Sequence, residues 1–411
     1  MTIQRPLRIP IFTLLTILVL LTTTCIKDQL SIQDSSPAKK PWTFMFYCDE
    51  DFYIYYHRFE LFTEAMCSGN NLNVIVLHDT YEDPAILYYV DENHRPLPKV
   101  EMGEINMGSY ETLRDFVDYG KKHYPAERYI LGLYDHGAGW IGTCWDLTND
   151  SDWLTPEELY RALNESGGID LFMFAAACRM GAFEVAYEIR EMAEVYIGSE
   201  NRTSYWFWEN PMERICQTLH DSPEVSTVEL SEHIIDFIRV NNFTPSPFQD
   251  GLTTSSVYLE KLDTLKQAID EVALFYQSNP AAFKSYMSVV YKEMMAYNNS
   301  SVDIYDFAHE LLNVETDSLR RSQLEKIQKC LQDAIIANCC SEGLDGSHGL
   351  SIYLPDPEEE PYNLMYHNQE FGLDFTQNSH WDELLRSYFS LSGGQQKNMP
   401  VEQEAEIRFK D

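Results

Sequence analysis

The chain has 411 residues, 44% hydrophobic and 13% aromatic, with 30 basic against 65 acidic side chains and a formal charge of −35. That excludes a disordered, collagen-like or small disulfide-stapled chain, and at roughly 150 residues per domain it allows two or three domains, each able to bury its own core. The charge also excludes nucleic acid as a partner, because phosphate-backbone affinity rests on Lys and Arg displacing counterions; the acid excess reads as a solvated surface, with attraction for basic peptides or calcium as the sharper alternative.

From the N-terminus, Arg5 and Arg8 precede a run of only apolar residues and threonine over 11–21, followed by Thr22, Thr23, Thr24 and Cys25. A basic end, an apolar middle and small residues make a secretory signal over 1–24, too short in its apolar part for a membrane span of about 20 residues. The placement of Cys25 resembles a bacterial lipoprotein signal, in which the chain is cut before the cysteine and the thiol is acylated. Thr22 and Thr24 stand where such signals usually carry Leu and Gly or Ala. Residues 25–40 are polar and without amphipathic period, a tether that at about 3.3 Å per residue reaches roughly 50 Å from a membrane. The expected location is extracytoplasmic, held by a lipid anchor. The other eight cysteines show no zinc spacing and no disulfide framework, and read as small buried hydrophobes.

From Trp42 the chain alternates short apolar strands with amphipathic helices. Strands are predicted at 43–47, 74–77, 86–90, 129–134, 169–177 and 195–198, each apolar enough to be covered on both faces. A helix over 110–123 carries Leu113, Phe116, Val117 and Gly120 on one stripe, and Thr155 with Glu158 opens another as a capping box, Pro156 at its first position. Such alternation means an α/β fold with a largely parallel sheet and right-handed crossovers over 41–258. Residues 259–390 are mainly helical: Leu262, Leu265, Ile269, Val272 and Phe275 form one face, Leu324, Ile327, Leu331 and Ile335 another. A strand near 349–355 is expected to rejoin the main sheet, and 391–411 is a polar tail.

Two of the predicted strands end in reactive side chains. One runs into Asp135, His136, Gly137, Ala138 and Gly139; the other into Cys178, with a helix predicted over 181–195. Ligands of open parallel sheets bind outside the carboxyl ends of the strands, so both residues point to where a site belongs. A thiol needs a neighbouring base, a helix start favours its anion, and glycines let backbone N–H groups turn toward an oxyanion. Taken singly, Cys178 reads equally as a packing residue and His136 as a turn residue. Asp135 sits on the opposite strand face from His136 and is not expected to orient its imidazole.

Asp135-His136-Gly137-Ala138-Gly139-Trp140 and Ala177-Cys178-Arg179-Met180, with Glu184, Val185, Ala186 and Tyr187 after them, resemble the two signatures of the clostripain-like cysteine peptidases, in the broad group of caspases, legumain and gingipains. The resemblance runs from Trp42 to about Pro355 and includes Glu104-Ile105-Asn106-Met107-Gly108, Ser199-Glu200, Tyr305-Asp306-Phe307-Ala308 and His348-Gly349-Leu350-Ser351. It implies a caspase-like α/β/α sandwich, His136 as general base, Cys178 as nucleophile, and an oxyanion hole from the N–H groups of Gly137 and Cys178.

The departures bear on specificity. Relatives usually read Asp-Ala-Cys-Leu-Met at the nucleophile, and that Asp selects Arg or Lys before the scissile bond; here Ala176 stands in its place, and Arg179 replaces Leu. A basic side chain in a dry pocket needs its charged partner, so a neutral or acidic preference is expected. Between Gly137 and Tyr160 there is no Lys or Arg, so the self-cleavage after a basic residue that matures some relatives is not expected there. Ser199, Glu200 and Trp206 are expected to line the substrate pocket, the aromatic stretch around Trp206 reading either as a cleft wall or as loop packing. No cofactor is required by the reading; calcium, which some relatives need, is the one to consider, although the acidic runs 79–83, 146–152 and 356–360 lack a calcium-loop spacing and read as solvated turns. The reading is an endopeptidase acting on peptide or protein substrates. A non-catalytic surface binding protein on the same fold and a cysteine acyltransferase are the alternatives.

Overall fold

The computed structural model describes residues 38–51, 58–203, 208–241, 251–367 and 371–397. The signal, Cys25 and most of the tether lie outside the described residues, as do Trp206 and the end of the polar tail. The residues from Lys39 onward form one compact unit.

At its centre is a nine-stranded sheet. In chain order the strands are β1 (Lys40–Glu50), β2 (Leu72–Thr80), β3 (Ala85–Val90), β4 (Pro96–Gly103) and β5 (Ala126–Tyr134), then the β6 (Thr143–Asp146) and β7 (Asp152–Leu154) hairpin outside the sheet. They continue with β8 (Leu171–Ala175), β9 (Val195–Gly198), β10 (Thr253–Tyr258), the short β11 (Ala296–Tyr297) and β12 (Ser301–Asp303), β13 (Ile335–Cys340) and β14 (Ser351–Tyr353). The spatial order is β13-β10-β9-β8-β5-β1-β2-β3-β4. The central five strands, from β9 to β2, are parallel, while β3, β4, β10 and β13 add antiparallel edges. The expected α/β sandwich with a mostly parallel sheet is therefore what forms.

The alternation of side chains along β1 supplies both faces. Phe44 and Phe46 join one apolar core with Val74, Ile130 and Met173; Met45 and Tyr47 join the other with Ile75, Leu131 and Leu133. The first face is covered by α1 (Phe59–Ala65), α5 (Glu209–Asp221) and α6 (Thr227–Asn241), and the second by α2 (Tyr110–His123), α3 (Pro156–Glu165), α4 (Phe183–Glu188) and the helices α7 (Leu262–Ser278) to α10 (Ser318–Ala334). Each such buried side chain contributes about 1.5–3 kcal/mol, which is why apolar runs without polar alternation select the sheet interior. The stripe of α2 is buried as its period requires, through Leu113, Phe116, Val117 and Gly120, and α3 opens with the full capping box of Thr155 and Glu158.

Three expectations are corrected. The strand at 351–353 does not rejoin the main sheet: β14 pairs with β12 in a separate three-stranded sheet, and Ser351 makes an isolated bridge to Ala182. The segment that does join is β13, antiparallel to β10, and it takes Ile335 out of the helix whose stripe it continued. The helix predicted over 181–195 is only the six residues of α4, because the chain first makes a turn through Arg179 at φ 60°.

Candidate active site

Strands β5 and β8 are parallel neighbours with Tyr134 opposite Ala175, so the segments bearing His136 and Cys178 leave the sheet side by side. The two backbones touch. A Cβ added at Gly137 would lie 2.5 Å from the carbonyl oxygen of Cys178 and 3.0 Å from its nitrogen, a place that only glycine can occupy. That contact sets the residue following His136 against the backbone of Cys178.

The thiol is partly exposed and held from the side of β9. The Thr203 N–H donates to the Cys178 sulfur at 3.4 Å, and the sulfur stands 3.6 Å from the Thr203 carbonyl. Arg179 N–H donates to the Asn201 carbonyl at 2.9 Å, clamping the turn after the cysteine to the same segment. These backbone partners leave no side-chain signature, and the sequence could not announce them. With α4 beginning only at Phe183, no helix start lies at Cys178, which removes one of the expected sources of thiolate stabilisation.

His136 is partly buried, and desolvation pushes its imidazole down to about 4. The Thr143 hydroxyl donates to the His136 carbonyl at 2.7 Å, and Asp135 accepts from the Trp145 N–H at 2.6 Å and from the His136 N–H. Asp135 thus pins the loop backbone through its own buried carboxylate. Trp140 anchors the far end of the loop edge-on to Tyr353, Tyr366 and Phe371, with ring centroids 5.2, 5.0 and 5.5 Å away.

The model of the clostripain family matches residues 46–388. The chain belongs to the clostripain family. Clostripain of Hathewaya histolytica is 29% identical over 204 residues, which are 40% of this chain and 38% of that one, so the match spans well under half of that relative. A secreted C11 cysteine protease from Bacteroides thetaiotaomicron, solved with an irreversible peptide inhibitor, is similar with a TM-score of 0.62 at 17% identity, over 82% of this chain and 98% of its own. An inactive zymogen C11 protease from Parabacteroides distasonis is similar with a TM-score of 0.62 at 20% identity, over 84% and 99%. At these identities the two structures show the fold.

Within this clostripain-family fold, Ala176 is partly exposed and holds φ 67°, the left-handed region where a Cβ is strained. The Ser199 hydroxyl bonds Thr253 at 3.0 Å and the Asn201 carbonyl at 3.1 Å. Glu200 is 1% exposed, and its carboxylate accepts from the Ser347 hydroxyl and, at 3.0 Å, from the Gly349 N–H. Burial, then the neighbouring Asp303, pushes Glu200 well above the usual carboxylate range. Trp208, at the end of the aromatic stretch, is 1% exposed and packs into the sheet core with Met212 and Ile215. All eight described cysteines are free thiols. The acidic runs are not simply solvated turns: Asp79 and Asp146 have no exposed surface.

Proposed function

We propose that the protein is a cysteine endopeptidase using a His136–Cys178 dyad. The contact of Gly137 with the Cys178 backbone carries this reading, since it brings the imidazole-bearing loop and the thiol to one edge of the sheet. In the reaction the Cys178 sulfur attacks a peptide carbonyl while His136 takes the thiol proton. The N–H groups of Gly137 and Cys178 face the developing oxyanion, and His136 returns the proton to the leaving amine; water then hydrolyses the thioester. Covalent labelling by a peptidyl acyloxymethyl ketone tests the reading: the wild type labels and Cys178→Ala does not. An unlabelled wild type would instead favour a binding protein that retains the fold.

The substrate pocket, beside Ala176, selects a neutral residue before the scissile bond; Ser199 and Glu200, expected in its wall, are buried, and Trp206 lies outside the described residues. The carboxylate that would hold Arg or Lys is absent at Ala176, and Glu200 is engaged with Ser347 and Gly349. The chain also stays whole. No Lys or Arg occurs between Gly137 and Tyr160, and Thr143, Cys144, Trp145 and Asp146 are buried in the hairpin. Purified protein with Cys178 intact is expected to run as one chain on a denaturing gel, and intact-mass fragments ending within 137–160 would refute this.

Among the described residues no helix is long and apolar enough to cross a membrane. The protein is extracytoplasmic and attached by acylation of Cys25 beyond a 1–24 signal, with the polar tether holding the enzyme off the surface. A fatty-acid analogue fed to expressing cells is expected to label the wild type and not Cys25→Ser; equal labelling of both would exclude this anchor.

A further inference from the structure

The loop between α1 and β2 lies on α5, and one of its residues is gripped from two positions of that helix. Cys216 and His220 stand one turn apart on one face of α5. Cys67, which follows α1, sits against both. Its N–H donates to the Cys216 sulfur, its carbonyl lies 3.1 Å from His220 Nε2, and its own sulfur lies 3.5 Å from the same nitrogen. The loop around it is held in place. The Asn71 side-chain amide donates to the His220 carbonyl at 2.9 Å, and Lys40 Nζ donates to the carbonyls of Gly69 and Leu72 at 2.6 and 3.1 Å. A Cβ added at Gly69 would lie 2.6 Å from His220 Cε1, so the loop backbone rests directly on the imidazole.

Two thiols are thereby brought within reach of each other, one of them open to solvent. Cys67 is partly exposed, and Cys216 is buried against it. Other neighbouring cysteines are placed differently: Cys48 and Cys144 are both sealed from solvent, and Cys339 and Cys340 are consecutive on β13, where side chains point to opposite faces. Because the Cys216 sulfur accepts from the Cys67 N–H, rotation about the Cys67 Cα–Cβ bond carries the Cys67 sulfur off the His220 ring and toward the Cys216 sulfur. A disulfide spans Cα–Cα separations of about 4.4–6.8 Å, the scale of such a contact between a side chain and a backbone.

We propose that Cys67 and Cys216 are a redox-active pair that closes to a disulfide, fastening the α1–β2 loop to α5. The oxidant is itself a disulfide, small or protein-borne. The Cys67 thiolate attacks one of its sulfurs, forming a mixed disulfide and releasing one thiol; the Cys216 thiolate then attacks the Cys67 sulfur and releases the second. Two electrons pass to the oxidant, and the two cysteine protons end on the two released thiols. His220 has a defined part in this. The Cys67 carbonyl can only accept, so Nε2 carries the proton and faces the neighbouring sulfur as a donor, an arrangement that favours the thiolate. Burial, then the nearby Glu213, raises the Cys67 thiol, and burial pushes the Cys216 thiol up to about 12. Cys67 therefore reacts first, and bridging quickens as pH rises.

Oxidised glutathione tests the pair on the full-length protein, in a Cys178→Ala background so that the active-site thiol takes no part. After incubation at mildly alkaline pH, a non-reduced digest is expected to contain peptides joined through Cys67 and Cys216, and dithiothreitol to release them. Closing a loop of about 150 residues is expected to raise the melting temperature by at least about 4 °C, a gain that the reductant removes. Cys67→Ser, at a partly exposed position, and Cys216→Ala, in the core, are each expected to abolish both the joined peptides and the gain. Glutathione left on Cys67 without a link to Cys216, two thiols still open to alkylation, or a link that does not raise the melting temperature would overturn the pair. With Cys178 absent from the assay, the outcome is independent of the peptidase reading.

Discussion

Alanine at Cys178 is expected to abolish peptide cleavage, and alanine at His136 to lower kcat/KM by about 100- to 10,000-fold, the range of a positioned acid–base residue. The losses differ in kind. Without the sulfur no acyl-enzyme forms, whereas without the imidazole a residual thiolate reaction continues and rises with pH as hydroxide removes the proton. The pH profile of the wild type separates His136 from an ordinary surface histidine. Desolvation holds its imidazole at about 4 rather than at the usual 6.5, so it stays neutral, and able to accept a proton, down to about pH 5. Turnover is expected to show no acid limb centred near 6.5; such a limb would refute the assignment. The stability effect has its own sign. A histidine whose folded pKa lies below its unfolded value binds more protons unfolded, so its contribution is lost as pH falls from about 6.5 toward 4.

How much of this was legible in the chain depends on how local each signal is. β1, β2, β5, β8 and β9 are covered on both faces, so they show as apolar runs that need no partner to be recognised. β4 does not, because it is an exposed edge strand with two prolines, in which Lys99 and Glu101 interrupt the apolar residues. β10 reads TTSSVY, and its hydroxyls are buried by pairing with β9 and β13, a context no window of sequence contains. β13 was hidden by its neighbour: the stripe through Leu324, Ile327 and Leu331 continues in phase to Ile335, but the helix ends at Ala334.

The same distinction holds at the site. The sequence nominates His136 and Cys178 because each follows a strand, and the segments that leave the adjacent parallel strands β5 and β8 do so side by side. The hold of Thr203 on the sulfur was not legible, being made by backbone atoms. The convergence of Asp51, Glu104 and Asp146 was hidden because they come from three separate segments, which no single window of sequence contains. The charge of −35 therefore has two components: a solvated majority, and a buried few, Asp49, Asp51, Asp79 and Asp146 among them, that accept hydrogen bonds from backbone N–H groups.

Aspartate at position 176 is expected to turn the enzyme toward basic substrates. Ala176 holds φ 67°, where an alanine Cβ costs roughly 1–2 kcal/mol and where Asp and Asn are the side chains best tolerated. Ala176→Asp therefore adds a carboxylate without new backbone strain, at a partly exposed position beside the nucleophile. A charge-assisted hydrogen bond is worth about 1.5–3 kcal/mol, so kcat/KM for substrates with Arg or Lys before the scissile bond is expected to rise about 10- to 100-fold relative to a neutral residue. Ala176→Asn is the control, since it relieves the same strain without charge. Both variants are expected to melt at or above the wild-type temperature, and only the aspartate to shift the preference. An equal shift in both would assign the effect to the backbone, and no shift in a folded aspartate variant would show that residue 176 does not face the substrate side chain.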